Sequence, residues 1–242
     1  MISKSQIKLI TGLRQKKYRD SSGLFVAEGP KVISELLEAG FQADYFFSTK
    51  VDPSEGHEAT AISEIDLKKI SALKTPNTSL AVFRKPTYPE LRQSGLILAL
   101  DAIRDPGNLG TIIRLCDWFG VEQIVCSADT ADCFNPKVIQ ATMGSIARVA
   151  VHYVGLDSFL RNTQLTTIGA VMDGASVYQT ELPSEGILVM GNEANGISET
   201  INEALNLRIT IPRFGAVQET ESLNVATATA ILLNEFRRST GK

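Results

Sequence analysis

Three short segments hold side chains whose types and spacing could do chemistry together. After Leu100 the chain reads DAIRDPGNLGTIIRLCDWFG; Pro106, Gly107 and Gly110 shape a tight turn, Asn108 stands at its tip, and Arg114 follows six residues on. On a helix that interval is nearly two turns, so the guanidinium can lean back toward the amino terminus. Unpaired N–H groups there make a natural anion site. After Met190 comes GNEANGIS, in which Gly191 and Gly196 bracket Asn192, Glu193 and Asn195. Small residues there let a ligand approach backbone groups closely. After Ile211 comes PRFGAVQETESLNVATATAILLNEF, with Ser222 and Asn224 flanking Leu223 at the start of a long helix. Each segment alone also has a plain structural reading: an Asn–Gly turn, a turn with Ser198 capping the next helix, and Ser222 as a helix cap.

Several chemistries are disfavoured. Neither GxGxxG nor GxxxxGK[ST] is present, so the dinucleotide and nucleoside-triphosphate fingerprints are missing. His57 and His152 are the only histidines, and Cys116, Cys126 and Cys133 show no CxxC spacing, which argues against a metal cluster and against histidine acid–base catalysis. The odd cysteine count fits a reducing compartment. There is no apolar stretch of 18 residues and the start lacks a signal peptide's apolar core, so the expected location is the cytoplasm.

The elements that must position these segments form two groups. Length alone, at 242 residues, favours two domains. In the first third, strand-like runs at Leu24–Ala27, Asp44–Ser48 and Leu80–Phe83 alternate with helical patterns over Lys31–Ala39 and Leu67–Leu73. Gly40 follows the first of those helices, Ser63 and Asp66 resemble an imperfect capping box before the second, and Val51–Glu58 is polar and turn-rich. Arg84–Ser94, with Pro86 and Pro89, reads as a linker, placing the boundary near residue 92 and the domains at 1–91 and 92–242. Beyond it, apolar runs recur at Leu96–Leu100, Gln123–Cys126, Val149–Val154, Thr166–Val171, Ile187–Met190 and Leu207–Ile211. Helical patterns lie between several of them, with Leu109–Phe119 and Leu223–Arg238 the clearest. Continuous apolar strands separated by helices imply an α/β fold with a parallel sheet covered on both faces. Ligands in such sheets sit at the strands' carboxyl ends, where the three segments lie.

Charge is unevenly spread. The 24 basic and 27 acidic residues give −3, yet residues 1–20 carry Lys4, Lys8, Arg14, Lys16, Lys17 and Arg19 against Asp20 alone, a local +5. That arm could touch a polyanion or form a solvated helix face.

Taken in order, the three segments resemble the motifs of the SpoU/TrmH family of RNA ribose 2′-O-methyltransferases in the SPOUT superfamily. The matches are Asn108-x-Gly110-Thr111-Ile112-Ile113-Arg114, then Leu188-Val189-Met190-Gly191-Asn192-Glu193 with Gly196, then Ile211-Pro212 with Ser222-Leu223-Asn224-Val225. LFVAEGPKVISELLEAG is similar to the opening of that family's small substrate-binding domain. Two departures stand out. Ala194 replaces the glycine expected after Glu193, which would be strained if that backbone needed a positive φ, and the stretch AVQETE before Ser222 is about two residues longer than usual.

The resemblance implies a carboxyl-terminal α/β domain with a mostly parallel sheet tied in a deep trefoil knot, and a small amino-terminal α/β substrate-binding domain. It implies S-adenosylmethionine bound by Met190, Gly191, Ile211 and Leu223, a homodimer, no metal, and RNA as partner, ribosomal RNA ahead of transfer RNA. Phosphate contacts would come from Lys4, Lys8, Lys16, Lys17, Arg84 and Lys85. A ribose 2′-hydroxyl would attack the sulfonium methyl. Arg114 would activate it, either as a transiently deprotonated base or by polarising an incipient alkoxide; the second is favoured because a free guanidinium gives up its proton only above pH 12. Glu193 would orient Arg114 through a charge-assisted hydrogen bond, with Asn108, Ser222 and Asn224 positioning ribose, phosphate or Arg114. A non-catalytic RNA-binding or ribosome-assembly factor on the same fold is the rival reading; a nicotinamide oxidoreductase is disfavoured by the missing fingerprint.

Overall fold

The structure is a computed structural model describing residues 2–50, 59–215 and 222–240. The polar stretch 51–58 with His57, and the lengthened stretch 216–221, lie outside those residues. In chain order the first elements are α1 (Lys4–Gly12), α2 (Lys16–Ser22), β1 (Leu24–Glu28), α3 (Pro30–Glu38), β2 (Ala43–Ser48), β3 (Thr60–Ala61), α4 (Glu64–Ile70) and β4 (Ser79–Arg84). There follow β5 (Leu96–Leu100), α5 (Pro106–Trp118), β6 (Gln123–Cys126), α6 (Pro136–Thr142), β7 (Ala150–Tyr153) and α7 (Leu156–Asn162). The last are β8 (Thr167–Ser176), β9 (Gly186–Met190), α8 (Glu199–Asn202), β10 (Leu207–Thr210) and α9 (Val225–Thr240). The chain packs as two compact units, Met1–Tyr88 with Asp132–Arg148, and Pro89–Ala131 with Val149–Lys242.

In the first unit a sheet of order β1-β4-β2-β3 pairs β4 antiparallel with both neighbours and β2 parallel with β3. Its core joins Ile10 and Leu13 to Val26, Phe47, Leu67, Ile70, Leu80 and Val82. The basic arm is two helices. Ser3 and Gln6 cap α1 reciprocally, the Ser3 hydroxyl accepting from the Gln6 amide at 3.2 Å and the Gln6 side chain accepting from the Ser3 amide at 2.9 Å. At α4 only half of such a box forms: Ser63 accepts from the Asp66 amide, but the Asp66 carboxylate turns to Lys69 at 2.7 Å. That helix stops at Ile70, short of the expected Leu73, because the Ser71 hydroxyl donates to the buried Glu28 carboxylate at 2.5 Å and the Ser71 carbonyl accepts from Arg14 at 2.7 Å. Arg19 is 1% exposed, its Nε and Nη2 on Asp132 Oδ2 at 2.8 and 2.5 Å and its Nη1 on the Leu13 carbonyl at 2.8 Å. It is therefore an internal ion pair, and the arm presents less outward charge than its composition suggests.

In the second unit all six strands run parallel in the order β10-β8-β9-β5-β6-β7. β5, β6 and β9 are buried throughout, as continuous apolar runs require. On one face Ile97, Ala99, Val125, Ile187 and Val189 pack with Leu156 and Leu160 of α7 and Ile201 of α8. β8 runs five residues beyond the expected Val171, and its pairing with β10 jumps from Gly169↔Arg208 to Ala175↔Ile209. Gly174 permits the jump, since a Cβ there would lie 2.6–2.7 Å from the Arg208 and Ile209 backbone. α5 and α9 pack together, and Arg237 of α9 donates to the Phe119 and Gly120 carbonyls at 2.6 and 2.8 Å, closing the end of α5.

Candidate active site

The site is built where β5, β9 and β10 end. Beyond Leu100, the Asp101 amide donates to the Met190 carbonyl at 2.9 Å, and Asp101 Oδ2 accepts from the Ser198 amide at 2.7 Å. One buried carboxylate thus ties the loop after β5 to the far end of the loop after β9. Ser198 begins α8 without a side-chain cap bond, so the expected serine cap is not made and its backbone is the group in use. Ala102 has φ 55°, a left-handed conformation that costs a non-glycine residue roughly 1–2 kcal/mol. Its amide donates to the Ser127 hydroxyl at 2.9 Å and its carbonyl accepts from Asn192 Nδ2 at 2.8 Å, so the strain is held from both sides. Asp105 then caps α5 by accepting from the Asn108 amide at 2.8 Å, with Pro106 at the first helical position.

The loop after β9 is closed by Asn192. Its backbone exchanges hydrogen bonds with Gly196 at 2.9 and 2.8 Å, and its Oδ1 accepts from the Ala194 amide at 2.9 Å. Gly196 takes the left-handed turn at φ 68°. Ala194 is absent from the positive-φ residues, so its replacement of glycine brings no backbone strain. A Cβ on Gly191 would lie 2.2 Å from the Gly196 carbonyl carbon and 2.3 Å from the Ile197 nitrogen, which only glycine avoids.

Three of the five expected catalytic side chains meet. Asn108 Nδ2 donates to Glu193 Oε1, and Asn224 Nδ2 donates to Asn108 Oδ1 at 2.9 Å. The amide of Asn108 is thereby oriented from both ends by loops 85 and 116 residues away in the chain. Asn224 Oδ1 also accepts from the Ala226 and Thr227 amides at 3.0 and 3.2 Å, so the cap of α9 is Asn224 and not Ser222. Ser222 is exposed, two residues before that cap. Arg114 is exposed on α5, and among the described residues no hydrogen bond joins it to Glu193. The expected Glu193–Arg114 bond is replaced by Glu193–Asn108, because the loop after β9 meets the first turn of α5, whereas Arg114 lies nearly two turns further along.

The expected cofactor positions lie on the same strand ends. Met190 is the buried last residue of β9, Gly191 and Ile211 follow their strands half-buried, and Leu223 is exposed. Among the described residues, no turn or loop hydrogen bond engages the backbone of Gly191, Ile211 or Leu223. Those backbone groups fit a ligand held through amide and carbonyl contacts. Asp101 and Ala102, which join the loops, carry no sequence signature beyond their place next to the first motif, whereas Asn192 lies inside the second. Among the described residues no group of three or more His, Cys, Asp or Glu is placed to hold a metal ion, and no helix is long and apolar enough to cross a membrane. Cys116, Cys126 and Cys133 are buried and unbridged; burial, reinforced by Asp117, pushes the Cys116 thiol up, so it is no nucleophile at neutral pH.

A parallel α/β sheet whose loops meet at its carboxyl edge places the Glu193–Asn108–Asn224 network where such folds bind ligands. Residues 95–234 match the SpoU rRNA Methylase family, and residues 4–81 match the MRM3-like substrate binding domain. The chain belongs to the SpoU rRNA methylase family. It is 31% identical over 234 residues, 93% of each chain, to the 23S rRNA (guanosine(2553)-2′-O)-methyltransferase RlmP of Bacillus subtilis. Among solved structures, a TrmH-family protein from Porphyromonas gingivalis is 40% identical with a TM-score of 0.89, covering 98% of this chain and 99% of that one. The AdoMet-bound rRNA methyltransferase from Sinorhizobium meliloti is 28% identical with a TM-score of 0.87, covering 98% and 97%.

Proposed function

We propose that this chain is an S-adenosylmethionine-dependent RNA ribose 2′-O-methyltransferase acting on ribosomal RNA. The observation that carries the reading is the Glu193–Asn108–Asn224 network, which joins three family motifs at the sheet's carboxyl edge. S-adenosylmethionine, when bound, supplies a methyl group on a sulfonium sulfur. Met190, Gly191, Ile211 and Leu223 would hold it, largely through backbone groups. Asn108, fixed at both ends, and Ser222 position the ribose and its phosphate. Holding a hydroxyl in line with the methyl and the leaving sulfur can supply roughly 7–11 kcal/mol. Arg114 would polarise the 2′-hydroxyl and stabilise the negative charge that builds on the oxygen as it bonds the methyl carbon and the sulfur leaves with the electron pair, the hydroxyl proton passing to solvent water.

Lys4, Lys8, Lys16 and Lys17 are exposed on α1 and α2, suited to phosphate contacts. Arg84 and Lys85 are engaged by Asp44 and Asp20, at 2.7 and 2.8 Å, and have less to offer a phosphate. The domain assignment 1–91 and 92–242, the knot, the cytoplasmic location and the homodimer belong to the same reading. In the homodimer, Trp118, 84% exposed on the same helix as Arg114, is an apolar side chain that a second copy would cover. The buried free cysteines support a reducing compartment.

The test is to map 2′-O-methyl sites in ribosomal RNA from cells with and without the gene, and to assay transfer of labelled methyl to the undermethylated RNA. Loss of one site in the deleted strain, restored by the purified protein, is the expected result. Cofactor binding with no transfer to that RNA would favour the non-catalytic ribosome-assembly reading.

A further inference from the structure

The loop between β5 and α5 carries a second arginine, Arg104, four residues before Asn108. Neither the methyl transfer nor the Asn108 network uses it. It is exposed, and among the described residues nothing binds its guanidinium. Elsewhere in the same unit guanidiniums hold carboxylates, as Arg161 holds Asp157, Arg208 holds Asp173 and Arg238 holds Glu235. The carboxylates around the loop are spent on neutral donors instead. Asp101 Oδ2 accepts from the Ser198 amide at 2.7 Å, Asp105 Oδ1 from the Asn108 amide at 2.8 Å, and Glu193 Oε1 from the Asn108 side chain. Arg104 also precedes Asp105, the N-cap of α5, so it stands at the positive end of that helix and gains nothing from the helix dipole. Its backbone is nevertheless held from both sides. Ala102, at φ 55°, turns the chain so that Ile103 is buried, and the Ile103 carbonyl accepts from the Ala131 amide at 2.9 Å. On the other side Asp105 caps α5 and Pro106 fixes the next φ. The fold thus fixes the place of a cation that it does not neutralise.

We propose that Arg104 binds a phosphodiester flanking the ribose that is methylated, the two arms of its fork on two phosphate oxygens. This deepens the methyltransferase reading and rests on it. A planar guanidinium matches a phosphate in shape as well as in charge. The other anionic group that comes to such a site is the carboxylate of S-adenosylmethionine, and position in the fold separates the two. Met190, Gly191, Ile211 and Leu223, the expected cofactor positions, follow β9 and β10. Arg104 follows β5 and shares its segment with Asn108 and Arg114, the groups assigned to the ribose. Every internal ribose of an RNA strand is flanked by phosphates, so a strand whose 2′-hydroxyl lies at this segment brings one with it. The contact is the same in the bound substrate and in the transition state, so it is read in KM and not in kcat.

The experiment uses the full-length protein and undermethylated ribosomal RNA from cells lacking the gene, with filter binding at several salt concentrations, methyl-transfer kinetics and thermal unfolding. Arg104→Gln removes the charge and keeps a polar side chain. RNA affinity is expected to fall, and KM for RNA to rise, about tenfold, while kcat stays within about twofold. The slope of log K against log salt is reduced by about one. The melting temperature and the affinity for S-adenosylmethionine stay at the wild-type values. Arg104→Lys keeps the charge and with it the wild-type slope, which a merely structural role would not predict. Unchanged RNA affinity and slope in Arg104→Gln would overturn the proposal. Loss of S-adenosylmethionine affinity with RNA binding intact would place Arg104 on the cofactor carboxylate, and a lowered melting temperature with losses for both ligands would place it in the fold; either result also overturns the proposal. Filter binding reads the contact even where no methyl is transferred, so a wild-type protein that binds the RNA and transfers nothing counts against the methyltransferase reading alone.

Discussion

Asn224 does two things with one side chain: its Oδ1 caps α9, and its Nδ2 holds Asn108. The two roles separate by substitution. Asn224→Ser keeps a capping oxygen but is too short for Asn108, so stability should stay within a few tenths of a kcal/mol while turnover falls at least tenfold. Asn224→Ala loses both, and thermal unfolding should show a further cost of about 1 kcal/mol. Arg114 is the other informative position. Arg114→Lys keeps the charge but loses the planar fork. Turnover should drop by about 100-fold or more, while titration calorimetry finds S-adenosylmethionine bound as in the wild type. Near-normal turnover in that variant would remove Arg114 from its assigned role. The residue types and their order along the chain single out five side chains, of which the structure joins Asn108, Glu193 and Asn224. The partners of Glu193 were not legible, since a carboxylate in a loop takes whichever donor the fold brings to it, and here that donor is Asn108.

At the scale of elements, the three loops hold one another. Asp101 reaches Ser198, Asn192 reaches Ala102, and Gly191 lies where the returning chain at Gly196 and Ile197 leaves no space for a Cβ. Gly191→Ala should displace that backbone, so the thermal shift produced by S-adenosylmethionine should be lost along with methyl transfer. In β7, burial pulls His152 below the usual histidine pKa. The unfolded chain therefore takes up a proton first as pH falls. The stability this residue contributes is fully present above its unfolded value, about 6.5, and is lost as pH drops through the lower folded value. Urea midpoints at pH 7.5 and 5.5 should differ, and His152→Gln should narrow the difference. The apolar runs that became β5, β6 and β9 were legible because buried parallel strands need unbroken hydrophobic sequence. The end of α4 was not, because the Glu28 and Arg14 bonds that stop it come from elsewhere in the chain. The start of α1 is marked in the sequence by its Ser3–Gln6 capping pair.

For the molecule as a whole, the segment Asp132–Arg148 packs with the amino-terminal unit although it follows two strands of the other sheet. Arg19 and Asp132 anchor it, with side chains only 2% and 9% exposed, and Phe134 packs on Phe25 with centroids 4.8 Å apart. Removing one member of a buried pair strands the other charge. Arg19→Met should cost about 3–5 kcal/mol in denaturant unfolding, and Arg19→Met combined with Asp132→Leu should recover most of it. The same pair alters the electrostatics. Of the six basic residues among the first 20, Arg19 is turned inward and Arg14 is bound to the Ile70 and Ser71 carbonyls. The outward charge available to a polyanion is carried by the four lysines.

The sequence by itself determined the fold class, the strands other than β3, and which side chains were candidates for chemistry. Those depend on local patterns: hydrophobic runs, turn residues, and motif order. Only the tertiary structure decided which of these groups touch. Hydrogen-bond partners 85 or 116 residues apart and the inward turn of Arg19 depend on how distant strands end beside one another. No local window of residues encodes that proximity.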